Sequence, residues 1–278
     1  MIKPISLVFF LSLALNALAV TPEKLEKAKA GDDWAMLAVA DEYCQEDNYR
    51  ESLYWQEQRI YALESKAKTD QDEKDVEFAM STLADAYARG TCAPYGPDKK
   101  PQQFIPNYPM ALKWYQRLAY KSSPKSYFPY GAKLKIAEMY YWGREGVEKN
   151  ISQAKAYYKE LASFDDAVIN KLPKNDQYAL KETRGNARWR LAQMHFLGDH
   201  ATKDHPRALQ WAEKGGRDDN PYAMIIVAFL LYQGEGVKHN KQEALKLMGL
   251  VCDNFGNENA CNWYQDIKAN KRLRPGGL

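Results

Sequence analysis

The side chains able to do chemistry are few, and four histidines and four cysteines head them. His200, Asp204 and His205, with Asp199 beside them, bring the donor atoms of a zinc site into one loop. Structural zinc sites usually space their ligands differently or use cysteine, so no metal is expected here. His195 falls at helical spacing on an apolar stripe, the register of a packing residue, and His239 reads as a solvated loop residue. Glu138 with Glu145, and Asp165 with Asp166, are neighbouring carboxylates. A glycosidase holds two acids apart across a cleft, whereas neighbouring acids on helices are ordinarily a wet face. No nucleophile elbow, phosphate loop or metalloprotease helix occurs, and no two cysteines have the Cys-x-x-Cys spacing of a redox motif. The residues point to no catalysis and no cofactor.

The elements that must position these side chains come from a phrase repeated along the chain. Ala132, Ile136, Ala137, Tyr140 and Gly143 share their spacing with Ala79, Leu83, Ala84, Tyr87 and Gly90. Ala187, Leu191, Ala192, His195 and Gly198 repeat it, as do Ala223, Val227, Ala228, Leu231 and Gly234. Ala35, Val39, Ala40 and Tyr43 are a weaker first copy, with Glu46 where the glycine should stand. The spacing is a one-sided apolar stripe on a helix, and the glycine can take the left-handed conformation that ends one. A second phrase comes after it each time: Ala111, Trp114, Tyr115 and Leu118 match Ala154, Tyr157, Tyr158 and Leu161, with Ala208-Trp211 and Ala244-Leu247 as further copies. Ser52 and Trp55 are a worn version of it. Each unit is therefore two amphipathic helices that cannot bury their stripes alone, so the units must stack.

Gly143, Gly146, Val147, Asn150, Ala154, Tyr157 and Tyr158, and again Gly234, Gly236, Val237, Asn240 and Ala244, resemble the loop and second helix of Sel1-like repeats, relatives of the tetratricopeptide family. The resemblance spans nearly all of the chain after residue 19, with units at about 30–65, 75–123, 128–165, 183–216 and 220–252 and a capping helix at about 257–269. It implies an all-α fold, a right-handed α/α superhelical solenoid that binds other proteins, and it does not imply an enzyme.

Met1–Ala19 reads as a cleaved secretory signal: Lys3 is its positive end, Ile5–Leu15 its apolar core, and Ala17 and Ala19 are the small residues a signal peptidase reads. The stretch is too short for a permanent membrane span, and no later segment reaches 18 apolar residues. The expected location is a bacterial periplasm, with residues 20–278 forming a single, monomeric repeat domain. Four cysteines suit an oxidising compartment and allow three pairings. Cys252 and Cys261 flank a helix corner, while Cys44 and Cys92 end the equivalent first helices of adjacent units, so 252–261 and 44–92 are the expected bridges; buried free thiols are the alternative. The 39 basic residues nearly balance the 36 acidic ones, which speaks for solvated helix faces and against nucleic acid.

Two insertions interrupt the repeats. The first, between Gly90 and Met110, contains Pro94, Pro97, Pro101, Pro106 and Pro109 and cannot be helical throughout. Its Tyr95, Phe104, Ile105 and Tyr108 suit either a wall of a binding surface or a flap over its own repeat. The second, Phe164–Thr183, carries Pro173 in a charged segment.

With chemistry refused, binding remains, on the concave face that first helices build in such stacks. Aromatics flanking the stripe are the candidates: Tyr43, Tyr141, Trp142, Trp189, Phe196 and Tyr232, with Arg188 and Arg190 beside Trp189 suited to an acidic partner. With 19 Tyr and 7 Trp in the chain, most aromatics must fill gaps between helices, and at least half of these six are expected to do so. Exported Sel1-like proteins resembling this one suggest an immunity protein that occludes a secreted phospholipase effector, or an adaptor organising an envelope or secretion assembly. An aromatic groove for cell-wall glycan is a third reading.

Overall fold

A computed structural model of the protein describes residues 20–92, 102–121, 125–199 and 202–274. The expected signal Met1–Ala19, the insertion residues Pro94, Tyr95, Pro97 and Pro101, the histidine His200, and Pro275 onward lie outside the described residues.

The fold is all-α, a solenoid-type arrangement of paired helices. Thirteen helices are seen among the described residues: α1 (Pro22–Lys29), α2 (Asp33–Gln45), α3 (Tyr49–Lys66), α4 (Asp70–Arg89), α5 (Tyr108–Ala119), α6 (Phe128–Trp142), α7 (Ile151–Ala162), α8 (Asp166–Ile169), α9 (Lys174–Leu197), α10 (His205–Gly216), α11 (Pro221–Gln233), α12 (Lys241–Phe255) and α13 (Glu258–Lys268). Two short strands, β1 (Thr91–Cys92) and β2 (Gln102–Gln103), pair antiparallel between α4 and α5. Within the span read as one repeat domain, contacts gather into two compact units, ending at Trp114 and beginning at Tyr115, so the boundary falls inside α5.

In the first unit α1 packs on α2, α2 on α3 and α3 on α4. Val39, Ala40, Ile60, Val76, Met80, Leu83 and Ala84 lose all contact with solvent, which is the stripe of the sequence turned inward. Cys44 at the end of α2 is bonded to Cys92 in β1, and both are buried. The described part of the first insertion folds onto its own unit: the Phe104 amide donates to the Gly90 carbonyl at 2.6 Å, and its ring lies 5.3 Å from that of Tyr49. Gly90 is required there. It is left-handed (φ 63°), and a Cβ on it would stand 2.2 Å from the Phe104 carbonyl oxygen.

The second unit builds two layers. α6, α9 and α11 lie side by side, and α7, α10 and α12 pack in sequence against and between them, with α13 closing on α12. Ile136, Ala137, Leu161, Leu191, Ile226, Leu230 and Met248 are fully buried between the layers. Trp263 and Ile267 of α13 cover the last of this core, and the Cys252–Cys261 bridge ties α12 to α13. The second insertion is mostly helical, holding α8 and the first turns of α9. Pro173 is the N-cap of α9, whose 24 residues begin at Lys174, so the ring precedes the helix and breaks nothing.

One backbone device recurs in all five repeats. The residue at the tyrosine position of each stripe gives its carbonyl to the amide of the residue that caps the next helix: Asn48 to Tyr43, Asn107 to Tyr87, Asn150 to Tyr140, Asp204 to His195 and Asn240 to Leu231, all between 2.8 and 2.9 Å. The capping side chain then accepts an amide of the first turn, as Asn150 does from Gln153 at 3.0 Å and Asn240 from Glu243 at 3.1 Å. A single clasp thus stops one helix and starts its partner. In the first copy, where Glu46 replaces the glycine, Asp47 takes the left-handed turn instead (φ 59°).

A buried ionic joint fixes the middle of α9. The Arg184 guanidinium grips both carboxylate oxygens of Asp218, with Nε donating at 3.0 Å, and reaches the Phe164 carbonyl at 2.9 Å and Asp166 at 2.8 Å. Arg188 donates to the same Asp218 at 2.7 Å and to the Ala162 carbonyl at 3.1 Å. The joint ties α7, α8, α9 and the α10–α11 turn together. Arg184 beside it holds the Asp166 carboxyl below the usual carboxylate range.

Candidate functional site

Of the eight candidate binding residues, five have separate surroundings and three come together. Tyr43, in the first unit, is half-buried against the Met36–Val39–Trp55 cluster. Phe196 is only 4% exposed, packs edge-on against Phe229 at 5.3 Å and shares a core cluster with Leu273, so it is not part of an exposed aromatic surface. Tyr141 is equally buried, and its hydroxyl donates to Asp199. Burial, and then the Asp199 carboxylate, push that phenol well above its ordinary range, which keeps it a neutral donor. Tyr232 is half-buried at the end of α11, its hydroxyl donating to the Lys271 carbonyl at 2.9 Å. Arg188 is spent in the Asp218 joint, so the acidic partner expected for it is inside the protein.

The remaining three come together. Trp142 at the end of α6 is 50% exposed and stands edge-on to Tyr141, ring centroids 4.7 Å apart. Arg190 of α9 lies with its guanidinium 5.4 Å from the Trp142 ring and 4.1 Å from the Trp189 ring. Trp189 in turn stacks on Tyr222 of α11 at 4.7 Å and 25°, and Tyr222 is 45% exposed. The result is a ridge running Trp142, Arg190, Trp189, Tyr222 across three neighbouring first helices.

The cation at its centre is held from several sides. Arg190 pairs with Glu138 at 3.3 Å and donates to the Gln193 side chain at 3.0 Å, and its own side chain is only 11% exposed. A guanidinium between two indoles is attracted by both ring faces, at about 0.5–2 kcal/mol for each contact depending on desolvation. That attraction, with the Trp189–Tyr222 stack, fixes the rotamers of the ridge before any partner arrives. A partner so met avoids roughly 0.5–1.5 kcal/mol of ordering cost for each side chain.

Isolated exposed aromatics are ordinary on protein surfaces. Tyr178, 75% exposed on α9, is one of them. The ridge differs because it is contiguous, braced and built from the residue types that dominate binding energies: Trp, Tyr and Arg. Tyr222 is a ridge residue that the stripe pattern did not single out. Its signal was its position just after the Asn220-Pro221 helix start, in the first turn of α11, where it stacks on Trp189 of α9.

The residues weighed for chemistry have other partners. Asp204 caps α10, and His205 Nδ1 lies 3.0 Å from the Glu235 carbonyl oxygen. Glu138 braces Arg190 and Asp166 braces Arg184. No group of three or more His, Cys, Asp or Glu suited to a metal occurs among the described residues. No helix of the described residues is long and apolar enough to cross a membrane.

Known proteins share this architecture. The Sel1 repeat family model matches residues 79–123, 132–163, 185–220 and 221–253, more than half of the chain; the weak first copy at 30–65 lies outside the match. A Sel1 repeat protein from Oxalobacter formigenes is similar in fold, with a TM-score of 0.54 at 16% identity over 89% of this chain and 89% of its own. A protective antigen present in uropathogenic Escherichia coli strains and displaying an SLR fold gives 0.40 at 18% identity, over 91% of this chain and 52% of its own. A sel1 repeat protein from Klebsiella pneumoniae subsp. pneumoniae gives 0.39 at 17% identity, over 89% and 98%.

Proposed function

We propose, from the premise that this chain belongs to the Sel1 repeat family, that it is a non-enzymatic periplasmic scaffold that binds one other protein through the ridge Trp142–Arg190–Trp189–Tyr222. Proteins of this family are typically non-catalytic scaffolds for protein–protein interaction, and the chemistry of the ridge fits that role. The single observation carrying the assignment is the braced Arg190 between Trp142 and Trp189, with Tyr222 extending the stack. The periplasmic placement is supported by the signal-like Met1–Ala19 and by the four cysteines, a pattern suited to an oxidising compartment. The finer role we assign is that of an immunity protein that occludes a secreted effector such as a phospholipase. A surface preorganised for one tight partner suits it better than a flexible one would.

The test is affinity capture from periplasmic extract with the wild-type chain, Trp142→Ala, Tyr222→Ala and, as a control, Tyr178→Ala. Loss of a ridge aromatic should weaken the true partner at least tenfold, or about 1.4 kcal/mol, while Tyr178→Ala leaves it unchanged. A single stoichiometric lipase-like protein that disappears with the ridge variants supports the immunity role, and inhibition of its activity is then the next assay. Several envelope proteins disappearing together would make the chain an adaptor. Equal capture by all four proteins would refute the ridge as the binding surface, and binding restricted to cell-wall glycan would refute the protein-scaffold reading.

A further inference from the structure

The C-terminal tail leaves α13 through Asn270, which is left-handed (φ 57°) and turns the chain back towards α11. The Lys271 amide closes that turn on the Asp266 carbonyl at 2.9 Å, and Lys241 holds the Asn270 side chain. The next residues, Arg272–Arg274, are not helical, yet the tail is firmly seated. The Lys271 carbonyl accepts from the Tyr232 hydroxyl at 2.9 Å and the Leu273 carbonyl from the Gln233 side-chain amide at 2.8 Å. Leu273 is 2% exposed and joins the core cluster of Phe196, Phe229 and Trp263. Arg272, between the two bonded carbonyls, points its guanidinium to Glu235 at 3.8 Å. A cavity of about 670 Å³ borders the tail, lined among others by Phe196, Leu197, Phe229, His205 and Glu235.

This is how a protein recognises an extended peptide rather than how a helix packs. Two side chains at the end of α11 read main-chain carbonyls two residues apart, an apolar pocket reads one side chain, and an acid reads a basic flank. Main-chain hydrogen bonds supply affinity that any sequence can use, and the pocket supplies selectivity. Leu273 and its neighbours Lys271, Arg272 and Arg274 would be an unusual way to end a solenoid for packing alone, since three of the four are basic and largely face water.

We propose that the end of α11, with Tyr232, Gln233, Glu235 and the Phe196–Phe229 pocket, is a subsite for an extended peptide carrying a leucine flanked by basic residues, and that the chain's own tail occupies it in cis. A partner segment of the same chemistry enters by displacing the tail, which acts as a tethered competitor. The tether raises the tail's local concentration, so the partner must match its contacts or be linked to a second contact elsewhere. The subsite is separate from the aromatic ridge, and either assignment can fail without the other.

The probe is a fluorescent, N-acetylated peptide with the sequence of residues 268–278, added to full-length protein and monitored by anisotropy. The Leu273→Ala chain should bind it at least tenfold more tightly than the wild-type chain, whose subsite is filled. A peptide carrying Leu273→Ala should lose that binding. Adding Tyr232→Phe and Gln233→Ala to the Leu273→Ala chain should weaken binding at least tenfold. A folded Leu273→Ala chain that ignores the peptide, or binds the altered peptide equally well, overturns the proposal. Because Leu273 is buried, a second variant guards against simple unfolding: Tyr232→Phe with Gln233→Ala in the otherwise wild-type chain. Tryptic cleavage after Lys271 and Arg272 should then quicken at least tenfold while helical content is unchanged. Cleavage at the wild-type rate would show that the tail is not held by those two donors and would overturn the subsite.

Discussion

Replacing Asp218 by alanine tests the ionic joint in the middle of α9 most directly. Its carboxylate is 1% exposed and neutralises two guanidinia, Arg184 at 5% and Arg188 at 13%. Without it, two buried cations are left with only backbone carbonyls and the outlying Asp166. Removing one partner of a buried pair costs about 3–5 kcal/mol, because the remaining charge stays uncompensated. In a protein of this size each kcal/mol moves the melting midpoint by about 2–4 °C, so Asp218→Ala should lower it by roughly 10 °C. Asp166→Ala removes an ion pair from the same Arg184, but that carboxylate is 80% exposed. Solvent screening limits its cost to about 0–1 kcal/mol, a shift of a degree or two. Thermal melts monitored by circular dichroism compare the two variants. Equal shifts, or a shift below about 3 °C for Asp218→Ala, would refute the reasoning that burial and not pairing sets the magnitude.

The disulfides, His195 and the α10–α11 joint each give a further test. Breaking Cys44–Cys92, which closes a separation of 48 residues, should cost about 4 kcal/mol, and breaking Cys252–Cys261, at a separation of 9, about 2.5–3 kcal/mol; urea unfolding of the two Ser-for-Cys double variants that reversed this order would contradict the loop-length argument. Burial, then nearby Lys155, hold the His195 imidazole below its ordinary pKa, so the folded chain favours the neutral ring and the unfolded chain takes up the proton first. Stability should therefore be full above about pH 6.5 and decline as pH falls from there through the lower folded value. His195→Tyr, the residue type found at Tyr87 and Tyr140, should flatten that slope in urea titrations at several pH values, and an unchanged slope would acquit His195. A Cβ at Gly215 would stand 2.8 Å from the Ala223 Cβ, whereas one at Gly216 meets only Met224 at 3.4 Å. Gly215→Ala should cost about 1–3 kcal/mol by overpacking and Gly216→Ala almost nothing; melting midpoints that failed to separate would show that α10 and α11 can slide apart.

Much of the scaffold was legible in the sequence because its signal is periodic. Leu83, Ile136 and Leu191 are fully buried and Val227 nearly so, and a stripe at helical spacing has one face on which to place them. Asn150 and Asn240 stood out in the repeated phrase, but their capping role came from the structure. The site was less legible, because neighbouring residues on a helix point about 100° apart, and the stripe alone does not say which of two turns inward. Tyr141 went into the core while Trp142 stayed half-exposed, and Phe196 went inward while Leu197 faced out. Arg188 and Arg190 show the same limit. Two positions apart, they face opposite ways, one to Asp218 and the other to the indoles. The role of Arg188 depended on Asp218 in the turn beyond α10 and that of Arg190 on Trp142 and Glu138 of α6, and no local pattern announces contacts at that separation. The helical character of the second insertion was hidden because charge and one proline look alike in a loop and at a helix start.

The clasp that joins each stripe to the next helix cap joins Tyr43 to Asn48 in its shortest form and Tyr87 to Asn107 in its longest, with unchanged bond geometry. The clasp therefore holds whatever the length of chain it closes, even where side chains of the closed segment, such as Tyr141 and Phe196, pack into the core. Chain can be added at such a corner at small cost, since lengthening a closed loop costs free energy only logarithmically. The second repeat has already used its corner in this way, for the β1–β2 ribbon pinned by Cys92. The other four close shorter segments with the same clasp, so a longer loop at any of them need not break the bond that sets the next helix cap.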